Sequence, residues 1–346
     1  MQPLAWSMFM STIGLGTIIT VSSHHWLLAW MGLEINTMAL IPLLATSHHP
    51  RAIEAASKYF LTQAAAAALI LFSSINNAWV TGEWDIMSTS HPLSITLITI
   101  ALSIKLGLAP FHFWLPEVLQ GTTLMTGLIL TTWQKLAPIC LLLMLSQKIF
   151  SPLILTLATL SIIIGGWGGI NQTQIRKILA YSSIAHLGWM VTMSTISPLL
   201  ALLNLFIYMI STTLMFVTFN ILSSTNILTT SMSWTKSPIT TLSISIGLLS
   251  LGGLPPLSGF FPKLLILQEL TKHNLLILAF IISISTLLSL FFYVRLLYSL
   301  TLTIHPNLPN STIWWRPKKT FNITIISTMV IMTSFLLPIV PTLINI

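Results

Sequence analysis

Apolar stretches of roughly twenty residues, the length at which a helix crosses the hydrocarbon of a bilayer, follow one another along this 346-residue chain with only short polar breaks. The pattern is that of an all-α polytopic membrane protein. Composition agrees, with 54% hydrophobic and only 6% charged residues, far from a soluble globular domain. The formal charge of +8 would suggest nucleic acid as a partner in a soluble domain. Here the basic residues fall mostly in short loops, where they report topology instead.

Spans are expected near 3–22, 24–45, 52–77, 92–115, 122–146, 150–170, 174–195, 198–223, 238–271, 274–302 and 321–344, eleven helices in all. Loops after even-numbered spans hold Arg51, Arg176, Lys177, Lys236, Arg316, Lys318 and Lys319. Those after odd-numbered spans hold Lys148, Lys272 and the acidic Glu83 and Asp85. By the positive-inside rule the N-terminus and the even loops face the cytoplasm or, in a mitochondrion, the matrix, and Ile346 lies on the opposite, intermembrane-space side. Trp79, Trp84, Trp314 and Trp315 suit interfacial belts. The chain opens directly into its first span, without a secretory or transit pattern, so no removable leader is expected. The single cysteine, Cys140, can build no disulfide, Fe–S cluster or thiolate zinc site by itself and reads as packing.

One span is too long. A continuous helix over 238–271 would measure on the order of 50 Å, well beyond the roughly 30 Å of hydrocarbon. It is expected to break at Gly252-Gly253-Leu254-Pro255-Pro256, where glycines loosen the helix and prolines remove donors. The fourth span carries a matching interruption. GLAPFHFWLPE (107–117) and GLPPLSGFFPK (253–263) align without gaps and share four of eleven positions at an offset of 146. Spans 4 and 9 run in opposite directions, the sign of an inverted repeat. The expected organisation is a single membrane domain, with a first repeat over 1–148, a second over 149–302, and a loop with a C-terminal helix over 303–346. Paired broken helices in two inverted halves point to an ion or substrate path near the midplane.

Four charges lie deep in these spans: Glu34, Lys105, Lys135 and Lys263. Each costs roughly 2.5 to 3.5 kcal/mol at the bilayer centre, on the order of 10 to 14 kcal/mol together, so they need partners, water or a task. Lys105 precedes the Gly107 to Pro110 weak point of helix 4. Lys135 lies in TTWQKLAP, with Pro138 loosening the backbone nearby. Glu34, in WMGLEINTMAL, is the natural counter-charge for Lys105, and Lys263 follows the break in helix 9. The bland alternatives are snorkelling for Lys105 and Lys263, pairing with a neighbouring subunit for Lys135, and a structural hydrogen bond for Glu34. Burial penalises a charged amine and a nearby carboxylate restores it, so an ion pair that opens and closes is a proton switch. His112 and His186 are weaker relay candidates, because a lone histidine in a bundle is more often a helix–helix hydrogen bonder.

Other features read as structural. His24-His25 and His48-His49 sit at opposite ends of helix 2 and point to different faces, unsuited to clamping a haem. Glu54 and Lys58 are spaced for an interfacial ion pair, and Glu117, Glu269 and Arg295 are interfacial as well. GGWGG at 165–169 lacks the lysine and serine of a phosphate loop and reads as close helix packing.

The motifs HFWLPE, TWQKLAP and GGLPPLSGFFPK resemble those of the antiporter-like subunits of respiratory complex I. WLLAWMGLEIN, HHPRAIEAASKYFLTQ and NQTQIRKILAYSSIAHLGWM extend the resemblance over essentially the whole chain. The resemblance implies that Glu34 and Lys105 form a switching pair, that Lys135 is a connecting lysine and that Lys263 ends the relay. It implies a proton-translocating membrane subunit of an NADH:ubiquinone reductase in the mitochondrial inner membrane, responding to quinone reduction elsewhere. No cofactor is expected in this chain, with FMN, Fe–S clusters and ubiquinone in other subunits. The implied partners are neighbouring antiporter-like and small core subunits and membrane lipids. The chain is similar to animal versions of the subunit, which look to begin at the fourth helix of bacterial relatives. A subunit of a multisubunit sodium/proton antiporter is the alternative, although such proteins usually keep the three leading helices. A purely structural spacer is a third reading.

Overall fold

In a computed structural model that describes residues 3–301 and 323–337, the chain is helical throughout, with no strand among the described residues. It divides into two compact units, Met1–Ser161 with Val191–Pro198, and Ile162–Met190 with Leu199–Ile346.

The first unit begins with α1 (Pro3–Ser22), α2 (Trp26–Leu44) and α3 (Pro50–Thr81). The His25 ring accepts the Leu27 N–H at 3.2 Å and the His49 ring accepts the Arg51 N–H at 3.2 Å, so one histidine of each pair caps a helix start. α1 and α2 cross closely. A Cβ at Gly32 would lie 2.9 Å from the Gly16 carbonyl, the small-residue contact that holds helices together where both lipid and side chains are apolar. α3, with 32 residues, is about 48 Å long, longer than the roughly 30 Å of hydrocarbon. The serine and threonine hydroxyls in these spans donate back to carbonyls one turn earlier, as Thr20 does to Thr17 and Ser73 to Ile70, both at 2.8 Å.

Helix 4 breaks where the glycine predicts. α4 (Pro92–Leu106) ends at Gly107, whose φ of 77° is left-handed, and the Gly107 N–H donates to Ser103 and Ile104. After an irregular segment the chain resumes in α5 (Trp114–Gly121). The fifth span is also divided, into α6 (Leu124–Thr131), one 3-10 turn over Trp133–Lys135, and α7 (Leu136–Met144). Pro138 has no N–H for the Gln134 carbonyl, and the turn tightens to i+3 bonding there.

α8 (Ser151–Ile170) and α9 (Ile175–Ser194) each contribute residues to both units, and α10 (Pro198–Leu222) follows. Two short helices, α11 (Ile227–Ser231) and α12 (Ser233–Lys236), occupy a stretch expected to be loop. α13 (Pro238–Gly252) stops at Gly253, φ 79°, and α14 (Phe260–Lys272) continues after the Pro255-Pro256 segment, so the ninth span is broken as expected. α15 (Leu276–Thr301) and α16 (Ile323–Phe335) complete the unit. The GGWGG run is indeed a packing device: a Cβ at Gly165 would meet the Ala185 backbone at 2.6 Å, and one at Gly169 the Phe292 ring at 2.7 Å.

Among the described residues, seven helical stretches are long and apolar enough to cross a membrane, α3, α10 and α15 among them, and three shorter apolar helices include α4 and α13. The chain is a multi-pass membrane protein. Trp314, Trp315, Arg316, Lys318, Lys319 and the end of the last expected span lie outside the described residues.

Candidate functional site

The first unit gathers three of the four deep charges. Lys105 sits in the last turn of α4, 6% exposed, at the negative end of the helix dipole, where a cation is favoured. Lys135 is the last residue of the 3-10 turn that precedes Pro138 and is 4% exposed. Both side chains line one cavity, together with Asn36 of α2, Tyr59 and Gln63 of α3, and Trp114 of α5. The cavity has room for a water molecule.

Glu34 stands beside this cavity, since its neighbours Leu33 and Asn36 line the wall. It is half-buried, and its Oε2 is enclosed without a hydrogen-bond partner. Lys105 is the counter-charge expected for it from the sequence. The two groups do not touch: the ion pairs found among the described residues are those of Lys58 with Glu54 and Glu117 and of Lys272 with Glu269. Lys105 Nζ, like Glu34 Oε2, is buried with no hydrogen-bond partner among the described residues. The arrangement is an amine that lines a space admitting water, with an acid beside that space and out of contact with the amine.

The surrounding groups fix this geometry. Trp114 donates its indole N–H to the Ile104 carbonyl at 3.1 Å, closing the broken end of α4 beside Lys105. Tyr59 packs on Trp114 with centroids 5.8 Å apart. Gln134 reaches from the 3-10 turn to the Asn36 carbonyl at 3.4 Å and ties Lys135 to the helix that carries Glu34. His112 lies on the irregular segment after α4, buried against Phe113.

His186 and Lys263 belong to the second unit. His186 of α9 is 8% exposed and its ring is 5.4 Å from that of Tyr208. Lys263 of α14 does not snorkel. Its amine turns back onto the break and donates to the Leu251 and Gly252 carbonyls at 3.1 and 3.0 Å, occupying the C-terminal end of α13.

Reading the sequence for charges alone passed over Gln63, Tyr59, Asn36, Gln134 and Trp114. A signal existed for two of them, because Tyr59 and Gln63 stand four apart on one face of an apolar helix. The interfacial pair expected of Glu54 and Lys58 is present at 2.5 Å, and Lys58 also binds Glu117 at 2.8 Å, joining α3 to α5. Arg295 donates to the Ile170 carbonyl at 2.6 Å.

Residues 23–289 match the family model described as NADH:quinone oxidoreductase/Mrp antiporter, TM, and residues 290–344 match NADH dehydrogenase subunit 2 C-terminus. The NADH-ubiquinone oxidoreductase chain 2 of Xenopus laevis is 57% identical over 341 residues, covering 99% of each chain. Among solved structures, a chain of respiratory complex I from Thermus thermophilus with bound aureothin superposes with a TM-score of 0.83 at 26% identity, over 98% of this chain and 80% of that one. A chain of the Mrp complex from Dietzia sp. DQ12-45-1b shares the fold, with a TM-score of 0.77 at 16% identity, over 84% of this chain and 59% of that one. With both family models matching and more than half of its residues identical to a full-length relative, the chain belongs to the NADH-ubiquinone oxidoreductase chain 2 family.

Proposed function

We propose that this chain is the antiporter-like, proton-translocating membrane subunit of an NADH:ubiquinone oxidoreductase, and that Glu34, Lys105, Lys135 and Lys263 carry the proton. The observation that carries the reading is the cavity of the first unit. Two buried lysines share it, and the acid Glu34 stands beside it out of contact with Lys105. Water or a small movement closes the Glu34–Lys105 gap, and opening it again drives the proton toward Lys135. His112 and His186 are secondary relay positions.

The chain works as eleven membrane spans, with inverted repeats over 1–148 and 149–302 and the remainder over 303–346. Two features support the repeat. Gly107 and Gly253, 146 residues apart, end their helices with φ of 77° and 79°. Each unit also ties a helix start to a later loop by one antiparallel bridge, His25 to Asp85 and Gln174 to Asn226. The protein resides in the mitochondrial inner membrane with its N-terminus in the matrix and its C-terminus in the intermembrane space. Its neighbours are other antiporter-like and small core subunits and lipid. FMN, Fe–S clusters and ubiquinone belong to other subunits.

The test is proton translocation per NADH oxidised in sealed vesicles carrying Lys135→Met, with assembly measured alongside. A lowered yield from an intact complex is expected, and an unchanged yield would make Lys135 structural. The match to a family model whose description includes Mrp antiporters supports a second reading, sodium/proton exchange. That reading requires proton movement that depends on sodium at fixed NADH turnover.

A further inference from the structure

Gln63 is a polar side chain in the apolar body of α3 that the relay just described does not use. It is 3% exposed, it lines the cavity shared by Lys105 and Lys135, and its Nε2 is buried with no hydrogen-bond partner among the described residues. Two donors without an acceptor, Gln63 Nε2 and Lys105 Nζ, therefore occupy one cavity, and the unpaired oxygen of Glu34 stands beside it. A water molecule would give both donors an acceptor, and the cavity has room for one. A water that accepts from both has its two lone pairs engaged, so its O–H bonds point away from the amide and the amine.

Asn36 is not equivalent. Its carbonyl oxygen is seated against Gly16, between α1 and α2, where a Cβ on Gly16 would collide with it. Gln63 stands one turn beyond Tyr59, whose packing on Trp114 holds this face of α3 against the break in helix 4.

We propose that Gln63 is a positioning residue of the relay, holding the water that carries a proton between Lys105 and Glu34. The inference rests on the relay reading above. In the transfer, the Lys105 ammonium gives a proton to the water oxygen and the water gives one of its own protons to the Glu34 carboxylate. The amine and the carboxyl are both left neutral and the water is unchanged, and the reverse step restores the charges. Gln63 exchanges no proton; its N–H fixes the orientation of the water.

Sealed vesicles carrying the assembled complex with the native chain, Gln63→Met, Gln63→Asn or Lys135→Met test the assignment. NADH-driven proton uptake is read against NADH oxidation, and assembly is measured on the same vesicles. Gln63→Met keeps the length and loses the amide. It is expected to lower proton uptake about tenfold and to raise the solvent deuterium isotope effect, with most of the loss recovered in Gln63→Asn. Native uptake in Gln63→Met beside a loss in Lys135→Met overturns the assignment and leaves the relay standing. Native uptake in both overturns the relay and the assignment with it. A loss that Gln63→Asn does not recover makes Gln63 a packing residue and also overturns it. Should Gln63→Met fail to assemble, the ordered water of the native complex decides. A water within hydrogen-bond distance of both Gln63 Nε2 and Lys105 Nζ supports the proposal, and an amide surrounded only by protein groups overturns it.

Discussion

Gly253→Ala and Gly252→Ala are adjacent substitutions in the break of helix 9 that have opposite expected outcomes. At Gly253 the backbone is left-handed, φ 79°, and a Cβ would stand 2.9 Å from Lys263 Nζ and 3.0 Å from its Cδ. The left-handed conformation costs a side-chain-bearing residue about 1 to 2 kcal/mol. Displacing the amine from the Leu251 and Gly252 carbonyls forfeits a charged hydrogen bond of about 1.5 to 3 kcal/mol. The sum, about 2.5 to 5 kcal/mol, opens the break about 70-fold more often at least. Gly252 is helical, and the nearest atom to its Cβ is the Tyr293 ring at 3.8 Å, so alanine there is neutral or favourable by up to about 1 kcal/mol. The measurement is amide exchange in the assembled complex. The Gly253 and Leu254 N–H groups, bonded to the Leu249 and Ser250 carbonyls, report opening of the break directly. Exchange at the native rate in Gly253→Ala, or equal damage from Gly252→Ala, would refute the claim that Lys263 closes this helix end.

Two further perturbations separate surface from packing effects. The Lys58 bridge to Glu117 joins partners whose side chains are 40% and 52% exposed, so a double-mutant cycle of Lys58→Met and Glu117→Gln, followed by thermal inactivation, is expected to give a coupling below about 1 kcal/mol. A Cβ at Gly32 would meet Thr20 Cγ2 at 2.6 Å and the Gly16 carbonyl at 2.9 Å, and the carbonyl cannot yield by turning a side chain. Gly32→Ala should cost about 1 to 3 kcal/mol and lower assembled yield, read by blue native gels, whereas alanine at open Gly14 should not.

Much of the fold was legible because lipid leaves so few ways to satisfy a backbone. The spans at 150–170, 198–223 and 274–302 appear as α8, α10 and α15 within two residues, and the Gly107 and Gly253 breaks fall where glycine is needed for a left-handed turn. The 3-10 turn at Trp133–Lys135 was half legible: Pro138 announces a lost bond, but not which residues take up the slack. α11 and α12 are too short for a period to register, and their only signal is the Asn226 and Thr229 capping box. The lysines and Glu34 stood out as charges in apolar runs. Glu34 could be named as the counter-charge of Lys105, but that the two stand out of contact and that Lys135 shares a cavity with Lys105 could not be read, because such placement leaves no spacing in one dimension. The helix-capping roles of His25 and His49 were hidden for the opposite reason, since each is a contact with backbone only two residues away that the side-chain pattern does not register.

The two broken helices end alike in backbone and differently in side chain. In α4 the lysine lies before the break, the indole of Trp114 takes the Ile104 carbonyl, and Lys105 Nζ is left to face the cavity. In the break after α13 the lysine lies beyond the glycine, and its amine is itself the group that closes the helix end, on the Leu251 and Gly252 carbonyls. An ammonium held by two carbonyls at the negative end of a helix dipole is stabilised as a cation in place. Lys105, also at a helix C-terminal end, has the dipole but no hydrogen-bond partner for its amine among the described residues. If both lysines relay protons, the first is built to exchange one with small motion, and the second releases one only as its helix end rearranges. Coupling of proton release to a change of shape is therefore more readily located at the second break than at the first, although both are written with the same glycine and proline.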